Sequence, residues 1–447
     1  MLLKINEIVK LADKSLNIGG KLLDRQVNKI KNDSRRIRRG DVYIAIKGDN
    51  FDGHKFAEET IKAGALAVIV QQEIKADIPQ IVVDDTIKFL GKLAAYYRRK
   101  FKVKAIAVTG SCGKTTTKDM IYNVLKTKYK VVTNFGSLNN HIGAPMTIFN
   151  LKKDTQILLS EIGMNHFGEL DYLSKIVQPE IGVITNVEPV HLEGLGSIEN
   201  IAKAKFELAD NLPESGILFL NWDNEYIRER AKNYKHKKIK YGFSKGVDFT
   251  FDGYENANGF YTVSHKNEKI KCSLSGFHNV YNVLITCAVA EYFKIKTSEI
   301  KRAIEKFKPT GRRLKIVKYN GYTVIDDCYN ANPASVRNAI KILDDLKING
   351  RRYFVFGDMA EMGKFDEHYH KQIGGHILKS EIDEVFLLGK SIKHTYSIIK
   401  GKVPAKIYKD YDSLAEALLK KLEPGDCALV KASRFMKFEN ISEKLYK

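Results

Sequence analysis

From Val103 onward the chain repeats one unit: a short apolar run rich in Val and Ile, a glycine-marked turn, and a stretch with helical periodicity. The successive runs are "VKAIAVTG", "YKVVTN", "TQILLSEIG", "EIGVITNV" and "GILFLNW". Strands apolar on both faces and separated by helices bury their side chains best in a parallel sheet covered by those helices. The pattern therefore predicts an α/β fold, with ligands beyond the carboxyl ends of the strands.

The first run leads into "TGSCGKTTTKDMIYNVL". A phosphate loop usually reads G-x-x-x-x-G-K-[ST]. Here Val108 stands where the first glycine would be, and Gly110 leaves a shortened G-x-x-G-K-T. The strand-turn-helix context still aims backbone N–H groups and a helix N-terminus at an anion. Gly110, Ser111, Cys112, Gly113, Lys114, Thr115 and Thr116 are thus the candidate nucleoside triphosphate loop. Lys114 would face the β- and γ-phosphates, and the Thr115 hydroxyl would reach Mg²⁺. Cys112 reads as a spacer whose thiol a helix N-terminus could make reactive. Two further residues follow apolar strands, Glu161 after "ILLS" and His191 after "VITNVEPV". Beside a loop that needs a metal they are candidate Mg²⁺ neighbours. Because Mg²⁺ prefers oxygen and keeps water, a second, partly hydrated ion would suit the pair.

Three domains are expected. Residues 1–84 form a small mixed α/β unit, 85–311 the central parallel-sheet ATPase domain, and 312–447 a C-terminal Rossmann-like α/β domain beginning after "KPTGRR". A period-two segment, "VDFTFDGYENANGFYTVSHKNEKIKCSLS", inserts antiparallel strands into the central domain, and helices from Asn279 to Phe293 and Thr297 to Phe307 close it. The C-terminal series runs from "YTVIDDC" through "RRYFVFGD", "EVFLLG" and "AKIYKD" to "CALVKAS".

Lysine and arginine exceed aspartate and glutamate by 21. The densest runs, "RRIRRG", "YYRRKFKVK" and "NYKHKKIKY", carry no nucleic-acid motif and read as solvated surface, so no nucleic-acid partner is expected. The five cysteines are scattered and odd in number, without C-x-x-C spacing, which argues against a disulfide framework. No window approaches a membrane span, and the first residues lack a signal-peptide pattern. A cytoplasmic monomer is the expectation.

Read jointly, "TGSCGKTTTK", "NVEPVHLEGLGSIENIAKAKFEL", "GFHNVYN", "PTGRR" and "DDCYNANP" resemble the Mur ligase family of ATP-dependent amide-bond-forming enzymes, end to end and in order. The shortened loop is the form that family uses. "NDSRRIRRGDVYIAIKGDNFDGHKF", "GSLNNHIGAP", "DDCYNANPAS" and "GDMAEMG" look like the members that join D-alanyl-D-alanine to UDP-N-acetylmuramoyl-tripeptide, a cytoplasmic step of peptidoglycan precursor synthesis.

The resemblance implies roles residue by residue. Lys205 in "AKAKFEL" matches the carbamylated lysine, whose added CO₂ would supply oxygen ligands beside Mg²⁺; Lys203, two residues earlier, remains the alternative. Asn279 and Asn282 match the element near adenine. Arg312, with Arg313 beside it, matches the γ-phosphate arginine, and Asp327 lies toward the nucleotide. Asn330 and Asn332 would face the incoming amine, Asn139 and Asn140 the muramoyl peptide, and Ser34, Arg35 and Asp49 the uridine diphosphate end.

Two alternatives stand beside this reading. One is a sister ligase with another amine; the diaminopimelate type's D-N-P-R is absent here. The other is a nucleic-acid-stimulated ATPase using the basic surface. No arginine lies between Asp326 and Ser335, so a distal carboxylate finds no fork there unless Arg337 or Arg434 supplies it.

Overall fold

A computed structural model describes residues 1–309, 311 and 314–446. Three main sheets, each with its own helices, follow one another along the chain, and a three-stranded antiparallel sheet and a two-stranded one are added to them.

The N-terminal sheet has five strands in the order Lys14–Leu16, Gln80–Val82, Ala67–Val70, Val42–Ile44, Ile30–Lys31. Only the first pair is antiparallel. The strands Val42–Ile44 and Ala67–Val70 are wholly buried, as their unbroken apolar runs require.

Helix Thr86–Arg98 leads into the central unit. Asp85 caps it by accepting from the N–H groups of Ile87 and Lys88, and it packs on helices Gly143–Ile148 and Glu169–Val177. Its buried Arg98 donates to the carbonyls of Phe101, Val103 and Val177, which fixes the chain's entry into the strand Lys104–Thr109. That strand lies inside a six-stranded, wholly parallel sheet ordered Lys237–Tyr241, Ile217–Asn221, Ile181–Ile184, Lys104–Thr109, Ile157–Glu161, Val131–Thr133. The chain thus winds to one side of the phosphate-loop strand and then to the other, which opens a crevice at its carboxyl end.

One charge run proves structural. "KKIKY", expected as solvated surface, is the edge strand Lys237–Tyr241. Its Tyr241 is buried, while Lys240 lies over the Trp222 ring at 4.8 Å, so lysines guard an edge whose inner face is apolar. The period-two insertion forms the expected antiparallel strands Gly253–Ala257, Phe260–His265 and Glu268–Ser275.

The C-terminal sheet is ordered Lys315–Tyr319, Tyr322–Asp326, Cys427–Lys431, Arg352–Gly357, Glu384–Leu388, Ala405–Tyr408 and is parallel except for its first pair. The leading hairpin strand Lys315–Tyr319 and the helix Ile392–Ile399 are not among the elements expected from the sequence. Asp326 ends the second strand fully buried, accepting from Cys328 Sγ, Ser442 Oγ and Tyr446 OH, which ties the last helix to the sheet. All described cysteines are free, and no described helix is long and apolar enough to cross a membrane.

Candidate active site

The phosphate loop leaves its strand at Gly110 and enters the helix Lys114–Leu125 at Gly113. Both glycines are required. Gly110 has φ +150° and a Cβ there would stand 1.9 Å from Thr185 Oγ1; Gly113 has φ +77° and a Cβ would stand 2.7 Å from Asn282 Oδ1. The loop is held from the neighbouring strand's end. Ser111 N–H donates to the Asn186 carbonyl at 3.0 Å, Cys112 N–H to Asn186 Oδ1 at 2.8 Å, and Thr185 Oγ1 to the Cys112 carbonyl at 2.7 Å. Lys114 folds back over the loop, donating to the carbonyls of Gly110 at 2.8 Å and Ser111 at 3.3 Å.

Glu161 ends the adjacent strand, 1% exposed. Asn134 brackets its backbone, accepting from its N–H at 2.9 Å and donating to its carbonyl at 3.0 Å, while Asn139 Nδ2 donates to Oε1 at 2.7 Å. Its Oε2 is buried with no hydrogen-bond partner. A buried carboxyl oxygen held in place and left without a protein partner is suited to a cation that arrives with a ligand.

His191 sits in a left-handed turn at φ +54°, and its Nδ1 lies 2.5 Å from Glu361 Oε2. Glu361, itself at φ +62°, belongs to "GDMAEMG" of the C-terminal domain, and its carbonyl accepts from Glu193 N–H. Burial, the largest cause, pulls the His191 pKa down, whereas the histidine beside Glu361 holds that carboxyl below its ordinary value.

Lys205 lies on the helix Ile198–Asp210, 1% exposed, and its ammonium makes no hydrogen bond or ion pair with any described residue. Burial first, and then the positive charge of Lys114, hold its pKa well below the ordinary lysine value, which favours a neutral amine. Lys203, the alternative, is exposed, its ammonium 5.6 Å from the Phe167 ring centroid.

The C-terminal domain closes the crevice. Lys431, 1% exposed at a strand end, donates to Asp327 Oδ2 at 2.5 Å and to the Asn330 carbonyl at 3.0 Å, which shapes the loop "DCYNANP". Asn332 caps the helix Pro333–Asp345 by accepting from Ser335 N–H, and its amide also meets Cys112 Sγ at 3.4–3.5 Å across the domain boundary. Burial, the largest cause, pushes the Cys112 thiol up despite the helix N-terminus beside it, which accords with a spacer.

These parts enclose a cavity of 1120 Å³. Ser111 to Thr116 form one wall; Asn139, Asn140, Glu161 and His191 form the next; Asp327, Asn330 and Asn332 form the third. A second cavity of 270 Å³ adjoins it, sharing His278 and Asn282 and lined also by Asp223, Phe277 and Tyr281. There the Tyr281 hydroxyl donates to Asp223 Oδ2 at 2.7 Å. Asn279 and Asn282 are chained together, Asn282 Nδ2 donating to Asn279 Oδ1 and Asn282 Oδ1 accepting from Thr117 Oγ1 at 3.0 Å. They therefore brace the phosphate-loop helix as well as lining the cavity.

Some expected residues stand elsewhere. Ser34, Arg35 and Asp49 lie on the N-terminal domain away from both cavities, Arg35 paired with Asp33 at 2.9 Å. Arg312, and Arg313 beside it, lie outside the described residues. Sequence reasoning passed over Asn186, Glu361 and Lys431. Lys431 had a signal, a lysine ending the otherwise apolar "CALV"; Glu361 had only its place in "GDMAEMG", because its importance lies in a contact 170 residues away.

Comparison with known proteins agrees with this arrangement. The Mur ligase family catalytic domain matches residues 26–98, the Mur ligase middle domain residues 108–290, and the Mur ligase glutamate ligase domain residues 312–434. The UDP-N-acetylmuramoyl-tripeptide--D-alanyl-D-alanine ligase of Bacillus subtilis is 35% identical, over 94% of this chain and 93% of its own. The crystal structure of MurF from Acinetobacter baumannii superposes with a TM-score of 0.90 at 28% identity, covering 99% of this chain and 98% of that one. MurF ligase from Thermotoga maritima, solved in complex with ADP, gives 0.83 at 27% identity, covering 93% and 96%. Matched in all three parts and along nearly its whole length, the chain belongs to the Mur ligase family.

Proposed function

We propose that this enzyme joins D-alanyl-D-alanine to the terminal carboxylate of UDP-N-acetylmuramoyl-tripeptide at the expense of ATP, a cytoplasmic step of peptidoglycan precursor synthesis. The observation that carries the reading is the single cavity whose walls come from the phosphate loop, the Gly136–Pro145 segment and the C-terminal loop at Asp327–Asn332. One wall suits each of the three reactants: ATP, acyl donor and amine. The boundaries near residues 84 and 311 divide the chain accordingly into a uridine-nucleotide domain, an ATP domain and an amine domain. Ser34, Arg35 and Asp49 would hold the uridine diphosphate end, reaching the cavity through the length of the substrate.

A carboxylate is a weak electrophile, and its condensation with an amine in water is uphill. In the proposed route a carboxylate oxygen attacks the γ-phosphorus, the bond to the β-phosphate oxygen breaks, and ADP and an acyl phosphate result. The neutral amine then attacks the acyl carbon and loses its proton, and the tetrahedral intermediate expels phosphate to leave the amide. The phosphate-loop N–H groups and Lys114 hold the transferring charge, a role that the family resemblance also gives to Arg312. Asn139 and Asn140 orient the acyl donor, Asn330 and Asn332 the amine. The smaller cavity, with Phe277 and Tyr281 on its walls and Asp223 to accept hydrogen bonds, fits a purine base.

Mg²⁺ fits the residues present: the orphaned Glu161 Oε2, the Thr115 hydroxyl at the helix start and His191 would hold it, with phosphate and water completing the shell. Bound there, it would neutralise phosphate charge and polarise the transferring group. Among the described residues no three His, Cys, Asp or Glu side chains cluster to form a cage, which suits an ion that comes with its nucleotide. Lys205 fits carbamylation, since a neutral buried amine adds CO₂, releases a proton and becomes an anion that Lys114 and Mg²⁺ would welcome. We take a monomer as the working state of the enzyme.

Phosphate release tests the reading. The enzyme receives MgATP and, in separate wells, D-alanyl-D-alanine, lysine, diaminopimelate or glutamate, each with the matching nucleotide precursor. Turnover with the dipeptide alone is expected. Turnover with a free diamino acid on the dipeptide precursor, and none with D-alanyl-D-alanine on the tripeptide, would make the chain a sister ligase.

A further inference from the structure

The incoming dipeptide carries a terminal carboxylate, and a site that accepts it in preference to uncharged analogues needs a cation at the far end from the reacting amine. Among the described residues the large cavity is lined by three Lys or Arg side chains: Lys114, Lys431 and Arg434. Lys114 is directed to the loop carbonyls and the nucleotide side. Lys431 is buried and engaged by Asp327 and the Asn330 carbonyl. Arg434 differs from both. Its Nη1 donates to Glu439 at 2.8 Å, while Nη2 and Nε make no hydrogen bond with any described residue, and 59% of the side chain is exposed.

The surroundings extend the match. The guanidinium carbon lies 6.0 Å from the centroid of the Tyr329 ring. The Tyr329 hydroxyl is hydrogen-bonded to Ser137 Oγ in the central segment assigned to the acyl donor. Phe435, 60% exposed, lines the same opening. A line from Ser137 through Tyr329 to Arg434 therefore runs from the acyl side of the cavity to a cation with two N–H-bearing nitrogens to offer, over aromatic surface suited to small methyl groups. Arg337 does not compete: it lines the smaller cavity, 3.9 Å from Glu188.

We propose that Arg434 holds the terminal carboxylate of the incoming dipeptide, with Tyr329 and Phe435 as the apolar floor and wall for its methyl groups. The proposal rests on the ligase reading above and names the acceptor's specificity determinant within it. Glu439 turns the guanidinium and keeps it in place, so the carboxylate meets a preset donor pair.

The test is steady-state kinetics on the full chain with MgATP and UDP-N-acetylmuramoyl-tripeptide, varying D-alanyl-D-alanine or its C-terminal amide. The parent prefers the acid. Arg434→Ala raises the KM for the acid about 10- to 100-fold, the range for losing charge-assisted hydrogen bonds, and uses acid and amide equally well. The KM values for ATP and the tripeptide nucleotide stay within about twofold, since neither ligand meets this side chain. Arg434→Lys, which keeps the charge but loses the fork, falls between. A parent that turns over while Arg434→Ala keeps the parental KM and acid preference overturns the arginine assignment alone. A rise in the dipeptide KM caused by Arg337→Ala in its place overturns that assignment too. A parent that releases no phosphate with the dipeptide overturns the ligase reading and the Arg434 assignment with it.

Discussion

Lys114→Ala lowers kcat for phosphate release by about 10³-fold or more, at the upper end of what one preorganised charge contributes to a transition state. The lysine opens the phosphate-loop helix and its Nζ rests on the carbonyls of Gly110 and Ser111, within reach of any phosphate the loop cradles. Because the ammonium meets charge that grows as the phosphoryl group transfers, kcat falls further than ADP affinity. Lys114→Arg does not restore the rate, since a planar fork cannot occupy the space of a compact ammonium. The check is ADP release in the full substrate mixture beside calorimetric ADP binding. Near-parental release by Lys114→Ala would remove this lysine from the chemistry.

Lys205→Ala loses activity by about 10²-fold or more, the scale for taking away an outer metal partner, and regains part of it with formate or acetate, whose oxygens fill the vacated space. Lys203→Ala stays near the parent, because that side chain is exposed and stacked on Phe167. A second readout is independent of turnover. In CO₂-free buffer the unfolded chain binds one proton more than the folded one at Lys205, from the depressed folded value up to the ordinary lysine value. Stability therefore rises with pH across that window. Lys205→Met, which fills the space without an amine, flattens the slope and raises Tm most at its acid end. If Lys203→Ala is dead while Lys205→Ala works, the carbamate belongs on Lys203.

Much of this was legible because it is local. The runs "AIAVT", "ILLSE" and "GVI" are apolar on both faces, and each became a buried parallel strand; the turn after the first needed glycine at Gly110 and Gly113 for reasons of φ and space. The residue types at strand ends pointed to Glu161 and His191 before any geometry was known. Hidden from the sequence were contacts set by tertiary packing. The Lys237–Tyr241 strand reads as surface because its lysines outnumber its buried Tyr241, and only pairing with Ile217–Asn221 gives it a place. Asn279 and Asn282 share a helix face, yet that spacing does not disclose that Asn282 also answers Thr117 on another helix. At Cys112 the neighbouring helix N-terminus is visible in sequence, whereas the contact with Asn332, 220 residues away, is not.

The central claim is that the cavity activates a carboxylate by phosphorylation before the amine arrives. It is tested most directly by labelling both oxygens of the tripeptide's terminal carboxylate with ¹⁸O and analysing the phosphate released in a complete reaction with MgATP and D-alanyl-D-alanine. The account predicts one ¹⁸O atom in each phosphate released and the other in the new amide, since the carboxylate oxygen that attacks phosphorus departs with it. Phosphate free of ¹⁸O, with the amide formed, would contradict it.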